Sequence, residues 1–336
     1  MLRAALEETG RTWGPGLFGL VAERGVVVFD GAVGTADLRT GRPIEGIDRF
    51  RIGSITKTYT AALVLQLIGE GLLSPADALG DLLPGLIPEP AGITVDLLLR
   101  MRSGLPDYFG PVYGDDPLDL TVLDRYWSPE QLVAAALTAP GRVPPDTVHR
   151  YSSTDYVLLG LLVERATGER VDAQLWRRVI DPLGLTGTTF PTVDPYLRGP
   201  HPVGYIRAAP DRPWRDCTTL TPSESFTAGA IVSTPADVAR FFDALLDGRV
   251  LDRSGLDRMT DCREPIDAHR HRGPGLVRFE VGGVVAYGQQ GGMPGFTSVV
   301  MRTADGRCVV LYQNGIDMSD PLPYRTPFML TALGCR

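Results

Sequence analysis

The stretch FRIGSITKTYTAALVLQLIG, residues 50–69, decides the fold, because it combines a long helical pattern with a lysine three residues after a serine. From Ser54 to about Ile68 the pattern is apolar almost all round, which predicts a helix that is buried on every side. Gly69 follows where such a helix would end. Ser54 and Lys57 lie three residues apart, so their hydroxyl and amine are predicted to meet on one helix face.

Lys57 is the only lysine of the chain. The other 32 of the 33 basic side chains are arginines, which indicates a general exchange of lysine for arginine. Lysine and arginine can both supply a positive charge at the surface, but arginine does not lose its proton in a protein. A single lysine that remains beside a serine therefore indicates chemistry that needs a neutral amine.

Ser54 has the surroundings that a serine nucleophile requires. The start of a helix offers N–H groups and a positive potential that can stabilise an oxyanion. Lys57 would act as the neighbouring base, for which it must be neutral, and burial of the predicted helix disfavours its charged form. The alternative is a lysine that lies in a core helix and only extends its amine to the surface.

Two further segments carry candidate chemistry. Residues 151–153, Tyr-Ser-Ser, precede a predicted helix, and Tyr151 could relay a proton between Ser54, Lys57 and a leaving group. Residues 287–292, Tyr-Gly-Gln-Gln-Gly-Gly, lie at the end of a predicted strand, where the glycines let a substrate approach the backbone. Taken singly, the tyrosine is explained by packing and the glycines by a hairpin turn.

Strand patterns occupy both chain ends and helical patterns the middle. The predicted strands are 17–23, 25–29, 277–281, 284–287, 297–302 and 308–313. Predicted helices begin at Ser128-Pro129, at Ser153 or Thr154, and at Thr234-Pro235. We therefore predict an α/β (α+β) fold in which a mostly antiparallel sheet, built from both chain ends, is flanked by helices. Residues 1–75 and 230–336 are predicted to form the sheet domain, and residues 76–229 a mostly helical inserted domain.

The three motifs, in this order, resemble those of the serine β-lactamase and penicillin-binding-protein superfamily. The likeness is greatest to its class C-like branch, which includes D-alanyl-D-alanine carboxypeptidases, family VIII esterases and transesterases. It extends from about residue 16 to 330. Supporting stretches are 103–108, 156–160, 181–185, 233–237 and 294–296. The resemblance implies a β-lactamase/transpeptidase-like fold.

The resemblance also implies roles for individual residues. Ser54 matches the nucleophile that becomes acylated, Lys57 its general-base partner, and Tyr151 the tyrosine that shuttles protons. The oxyanion hole would consist of the backbone N–H groups of Ser54 and Gly292. The motif positions implied to bind substrate are Ser153, Gln289, Gln290 and Gly291.

Two residues depart from the pattern of the superfamily. Ser153 stands where the second motif usually has asparagine, and Gln289 stands where the third usually has lysine or histidine. A neutral glutamine lacks a charge-assisted hydrogen bond of roughly 1.5–3 kcal/mol to a substrate carboxylate. We infer that a free carboxylate at this position is not the recognised group, unless Arg102, Arg272 or Arg278 supplies the cation.

The composition restricts the partners. A net charge of −7 and a pI of about 5.2 disfavour a nucleic-acid partner. No apolar run approaches the ~20 residues of a membrane span, and the N-terminus lacks an apolar signal core, so we expect a complete, cytoplasmic chain. The four cysteines are widely spaced, and His269-Arg270-His271 has no acidic or cysteine cluster beside it. We expect free thiols, no metal and no cofactor.

The sequence favours an enzyme with a small-molecule acyl substrate. We predict a serine acyl hydrolase that acts on an ester or amide through a Ser54 acyl-enzyme, similar to esterases and peptidases and not primarily a β-lactamase. One alternative is a transacylase that passes the acyl group to an amine or alcohol in natural-product or antibiotic biosynthesis. Another is a non-catalytic binding protein on the same fold, against which the retained Ser54, Lys57 and Tyr151 argue. The oligomeric state stays undefined.

Overall fold

The computed structural model describes residues 1–11, 13–114, 116, 118–318 and 324–335. Its helices are α1 Leu2–Gly10, α2 Thr56–Gly69, α3 Leu79–Leu82, α4 Val95–Leu99, α5 Phe109–Tyr113, α6 Pro129–Thr138, α7 Ser153–Thr167, α8 Val171–Leu175, α9 Phe226–Gly229, α10 Pro235–Leu246, α11 Arg253–Thr260 and α12 Pro327–Leu333. Three 3₁₀ turns and one π-helical turn are Gly53–Ile55, Leu120–Leu123, Pro222–Glu224 and Trp176–Ile180. The strands are β1 Gly16–Glu23, β2 Val26–Gly34, β3 Phe50–Arg51, β4 Tyr205–Arg207, β5 Arg215–Asp216, β6 Val232–Ser233, β7 Glu264–Asp267, β8 Arg270–Arg272, β9 Val277–Val281, β10 Val284–Met293, β11 Phe296–Thr303, β12 Arg307–Gln313 and β13 Gly315–Asp317.

An eight-stranded antiparallel sheet forms the centre of the molecule. Its order is β2-β1-β12-β11-β10-β9-β8-β7, so strands from the two chain ends lie side by side. The junction is the β1–β12 pair, in which Leu17 lies opposite Gln313. This arrangement confirms the predicted fold class, a largely antiparallel sheet from both chain ends flanked by helices.

The sheet is covered on both faces, because its central strands are apolar at successive positions. Val299 and Leu311 face the layer formed by α1 and α12. Val300 and Val310, one residue along each strand, belong to the larger core that contains α2 and α10. Strands buried on both faces lack the apolar–polar alternation of a half-exposed strand, and the all-buried pattern of β11 agrees with this.

Helix α2 lies inside the larger core, as its apolar pattern predicts. Every residue from Thr56 to Leu65 is buried. Tyr59 stacks on Phe241 of α10 with ring centroids 3.6 Å apart. A helix enclosed in this way holds its first turn, and with it Ser54, in a fixed position relative to the sheet.

Several elements differ in extent from the sequence prediction, among them β2, which continues to Gly34 and not to residue 29. Strand β10 continues to Met293, so the Tyr-Gly-Gln-Gln-Gly-Gly segment lies within a strand and not at its end. It pairs with β9 from Val284 to Gly288 and with β11 from Ala286 to Met293. The cap of α7 is Ser152, whose hydroxyl accepts from the N–H of Asp155, and not Ser153 or Thr154. Ser152 caps the helix because its extended backbone directs its side chain towards the N–H groups at the helix start.

The proposed division into a sheet domain and a helical insertion stays a prediction. Helix α2, from the first segment, packs against α7 and α9 of the proposed insertion as well as against α11. Among the described residues, no helix has the length and apolar character needed to cross a bilayer.

Candidate active site

Ser54 lies in a tight turn that joins β3 to α2. The turn is the 3₁₀ segment Gly53–Ile55, and Gly53 adopts a φ of +54°, which favours glycine. A Cβ on Gly53 would lie 2.7 Å from the backbone nitrogen of Gly292. The absent side chain therefore allows the serine turn to approach β10 closely.

Lys57 lies one turn into the helix and is enclosed, with 1% of its surface exposed. Its Nζ is 3.2 Å from the Oγ of Ser54 and 2.8 Å from the carbonyl oxygen of Ala228, to which it donates. The hydroxyl and the amine that the sequence predicts to meet are thus in hydrogen-bond contact.

Tyr151 is the third member of this contact group. Its Oη lies 2.6 Å from the Oγ of Ser54, although the two residues are 97 positions apart in the chain. The tyrosine is 39% exposed. The Nζ of Lys57 lies 5.0 Å from the ring centroid, and the guanidinium carbon of Arg272 lies 4.7 Å from it.

The two cations change the acidity of this phenol. Burial raises the pKa of Tyr151, but the positive charges of Lys57 and Arg272, with hydrogen bonds from Lys57 and Ser54, outweigh it. The pKa of the phenol therefore lies below its ordinary value. A phenol that ionises more readily is better suited to accept a proton from Ser54.

A cavity of about 260 Å³ opens beside Ser54. Its lining is Ser54, Lys57, Tyr108, Phe109, Tyr113, Ser153, Ile206, Ser225, Ala228, Gly229, Gly292, Met293, Pro294, Ile316 and Met318. Aromatic and aliphatic side chains predominate, and Lys57 is the one charged residue among these described lining residues. The cavity suits an uncharged, largely apolar group.

A buried carboxyl group lies behind one wall of the cavity. The Tyr113 hydroxyl donates to Oε1 of Glu224 at 3.0 Å, and Glu224 is fully enclosed. Burial raises the pKa of this carboxyl to about 7, against the lowering effect of hydrogen bonds from Tyr113 and Ser225 and of the charge on Arg51. Glu224 thus orients Tyr113, one of the aromatic residues that line the cavity.

Comparison with known proteins identifies the family. The β-lactamase family model matches residues 2–332. The chain belongs to the β-lactamase family. It is similar to a D-stereospecific amidohydrolase from Streptomyces sp., with 31% identity, a TM-score of 0.86, and coverage of 99% of this chain and 98% of that one.

Two curated relatives extend the range of chemistry in the family. Penicillin-binding protein 4 of Amycolatopsis lactamdurans is 33% identical over 65% of this chain, and esterase EstB of Burkholderia gladioli is 32% identical over 54% of it. The matches span 56% and 48% of those relatives' own lengths. The superfamily consists of serine hydrolases, among them esterases, peptidases and amidases, and its members act on small-molecule substrates.

The structure distributes the predicted substrate-binding residues unevenly. Ser153 lines the cavity. Gln289 is buried, with its Nε2 donating to the Gly275 carbonyl at 3.3 Å. Gln290 accepts from Nη1 of Arg270 at 2.7 Å. Neither glutamine lines the cavity, nor does Gly291, and a role of these three in substrate binding stays a prediction.

Gly291 has a positional requirement of its own. A Cβ there would lie 1.9 Å from the carbonyl oxygen of Ile52 and 2.8 Å from Oγ of Ser298. Together with Gly53, this glycine lets the serine turn lie directly against β10. The proposed oxyanion donors, the N–H groups of Ser54 and Gly292, belong to the two backbone segments that meet here.

Of the three arginines named in the sequence analysis, one reaches the site. Arg102 binds Asp146 and Glu264. Arg278 binds Glu280 at 2.5 Å. Arg272 lies against the ring of Tyr151.

Sequence reasoning missed the residues that shape the cavity. Tyr108, Phe109 and Tyr113 form a wall, and Met293 contributes from β10. Tyr108 falls within a stretch that supports the family resemblance, but no periodicity signals that it faces the nucleophile. Among the described residues, no group of three or more histidine, cysteine or acidic side chains is arranged to hold a metal ion.

Proposed function

We propose that this protein is a serine hydrolase that cleaves amides or esters of small, largely apolar acyl groups through a Ser54 acyl-enzyme. The observation that carries the proposal is the position of the Ser54 Oγ, which lies 2.6 Å from the Tyr151 Oη and 3.2 Å from the Lys57 Nζ. A hydroxyl between a phenol and an amine has a direct route for its proton as it attacks a carbonyl.

The geometry supports a balanced two-stage reaction. The Ser54 proton passes to the ionised Tyr151 while the Oγ forms a bond to the carbonyl carbon, whose oxygen takes the electron pair. The bond to the amine or alcohol then breaks, and the leaving group receives the proton from Tyr151. Water repeats the sequence in the second stage, and the carboxylic acid leaves with Ser54 restored. Tyr151 is favoured over Lys57 as the immediate acceptor by its shorter contact with the Ser54 oxygen.

The cavity supports a substrate class. Its lining includes Tyr108, Phe109, Tyr113 and Met293, which suits an aromatic or branched aliphatic side chain on the acyl group. The similarity to a D-stereospecific amidohydrolase makes amides of D-configured amino acids the first substrates to examine. We expect D-phenylalanine amide to be cleaved faster than its L enantiomer.

The decisive experiment combines turnover with detection of the acyl-enzyme. We expect the wild type, incubated with a p-nitrophenyl ester and quenched in acid, to gain the acyl mass on the peptide that holds Ser54. Ser54→Ala should show neither the added mass nor turnover, while Ser254→Ala, an exposed serine on α11, should behave as wild type. Turnover by Ser54→Ala, or acylation of another residue, would overturn the mechanism. A preference for the L-amide would overturn only the stereochemical part.

The same assay distinguishes the proposed hydrolase from the two alternative functions that the sequence leaves open. A transacylase in cytoplasmic natural-product or antibiotic biosynthesis stays a prediction, and an added amine or alcohol would then divert the acyl group into a new amide or ester. A non-catalytic binding protein would give no acyl-enzyme at all. The contacts between Ser54, Lys57 and Tyr151 support a catalytic role.

A further inference from the structure

Arg272 brings a positive charge to the nucleophile site. Its guanidinium carbon lies 4.7 Å from the centroid of the Tyr151 ring. Among the described residues, no hydrogen-bond partner contacts its buried Nε and no carboxylate forms an ion pair with this side chain. A partly buried cation without an ion-pair partner among the described residues costs free energy, so its position against Tyr151 calls for a role.

The neighbouring arginines are compensated, which sets Arg272 apart. Arg270, two residues earlier on β8, binds Asp267, and Arg278 on β9 binds Glu280. Glu264 lies opposite Arg272 in the β7–β8 register, but its carboxylate binds Arg102. The charge of Arg272 is therefore directed at the aromatic ring and not at a carboxylate.

We propose that Arg272 is a positioning residue whose guanidinium, lying against the ring of Tyr151, favours the phenolate and so enables Tyr151 to accept the Ser54 proton. The guanidinium of Arg272 contacts the ring of Tyr151, and it acts on the reaction through that ring. This inference rests on the proposed hydrolase mechanism.

The direction of the effect follows from the surrounding charges. The titratable and charged groups that face Tyr151 or Arg272 are Lys57 on α2, Tyr156 on α7, Tyr108, His149 and Cys262 in loops, and Arg270 on β8. The charge of Arg272 lowers the pKa of the Tyr151 phenol, so its loss raises that pKa. The phenolate then forms at higher pH, and the acid limb of the rate profile moves upward.

A direct titration tests the proposal without requiring turnover. Tyrosinate absorbance is followed against pH in wild type, Arg272→Met, Arg272→Gln and Arg272→Lys, each with and without Tyr151→Phe, so that the difference reports Tyr151 alone. We expect Tyr151 to ionise at higher pH in the two neutral variants and near the wild-type pH with lysine. Arg278→Met, which removes a nearby but ion-paired charge, should not move the ionisation. An unchanged ionisation in either folded neutral variant overturns the proposal.

Kinetics then separate this role from a structural one. At neutral pH we expect the neutral variants to lose about tenfold or more in kcat/KM, because each unit by which the acid limb rises costs a factor of ten at fixed pH. Activity should recover at alkaline pH, and Arg272→Lys should retain most of it. A loss that is equal at every pH contradicts the proposal. If the Tyr151 ionisation shifts but the wild type shows no acyl-enzyme, the proposed function fails and the electrostatic contact stands.

Discussion

Gly291→Ala is expected to disable catalysis although it adds a single methyl group and removes no functional side chain. The new Cβ would lie 1.9 Å from the Ile52 carbonyl oxygen, whereas ordinary van der Waals contact begins at 3.4 Å. The turn that carries Ser54 and the strand that carries Gly292 must therefore separate by about the 1.5 Å between those two values. That separation moves the two proposed oxyanion donors apart.

The magnitude follows from the sensitivity of acyl transfer to its donors. A displacement of about 1 Å costs on the order of 10²-fold, and losing one oxyanion donor costs about 10²–10³ in kcat, or roughly 3–4 kcal/mol. We expect kcat for a p-nitrophenyl ester to fall within that range, while a stoichiometric serine-directed phosphonate, which needs the nucleophile, still labels Ser54 slowly.

The control is a glycine that adds the same methyl group without a clash. A Cβ on Gly110 would have no other atom within 4 Å, and this glycine does not adopt a positive φ, so Gly110→Ala should keep near-wild-type kcat. Thermal unfolding of both variants separates loss of fold from loss of alignment. If folded Gly291→Ala turns over ester as fast as Gly110→Ala, the argument that these glycines align the oxyanion donors is refuted.

Two further predictions concern buried ionisable groups. Lys57→Arg should lose kcat almost as completely as Lys57→Ala, because the larger guanidinium does not fit in the enclosed position where the Lys57 Nζ contacts both the Ser54 Oγ and the Ala228 carbonyl oxygen. Substantial ester turnover by the arginine variant would contradict this. For Glu224, whose pKa is raised by burial from 4.5 to about 7, the unfolded chain ionises first as the pH rises. The free energy of unfolding should therefore fall by up to about 3 kcal/mol between those pH values and then level off. Urea denaturation of Glu224→Gln should lack this fall, and parallel pH curves for the two proteins would argue against a raised pKa.

The sequence predicted the nucleophile and its partner because they are close in the chain: Ser54 lies in the 3₁₀ turn that leads directly into α2, and Lys57 lies in the first turn of that helix. The period of an α-helix places Ser54 beside Lys57, and an apolar pattern on every face places that helix in the core. Only the family resemblance predicted that Tyr151 lies beside Ser54 and Lys57, because no local sequence pattern relates residues so far apart in the chain. Strand patterns at the two chain ends predicted six of the eight strands of the sheet, all but β7 and β8.

The parts that escaped prediction depend on tertiary contacts. Arg272 lies on β8, whose sequence Arg-His-Arg has no apolar alternation and gives no strand signal. The length of β10 beyond Tyr287 was missed because its glycines are typical of turns. The contact of Gln289 was also not predicted: pairing of β10 with β11 holds this residue where its amide reaches the Gly275 carbonyl, and its role in substrate binding stays a prediction.

The pairing of β1 with β12 has a consequence for how the chain reaches its native state. The β1–β2 hairpin is synthesised long before β12. Strand β1 pairs with β2 on one side, and its other side is unpaired until β12 has been made. Contacts of such large sequence separation slow folding and leave an unpaired edge available for intermolecular association. Yield of active protein should therefore depend on translation rate and temperature, with slower synthesis in the cold favouring intramolecular closure.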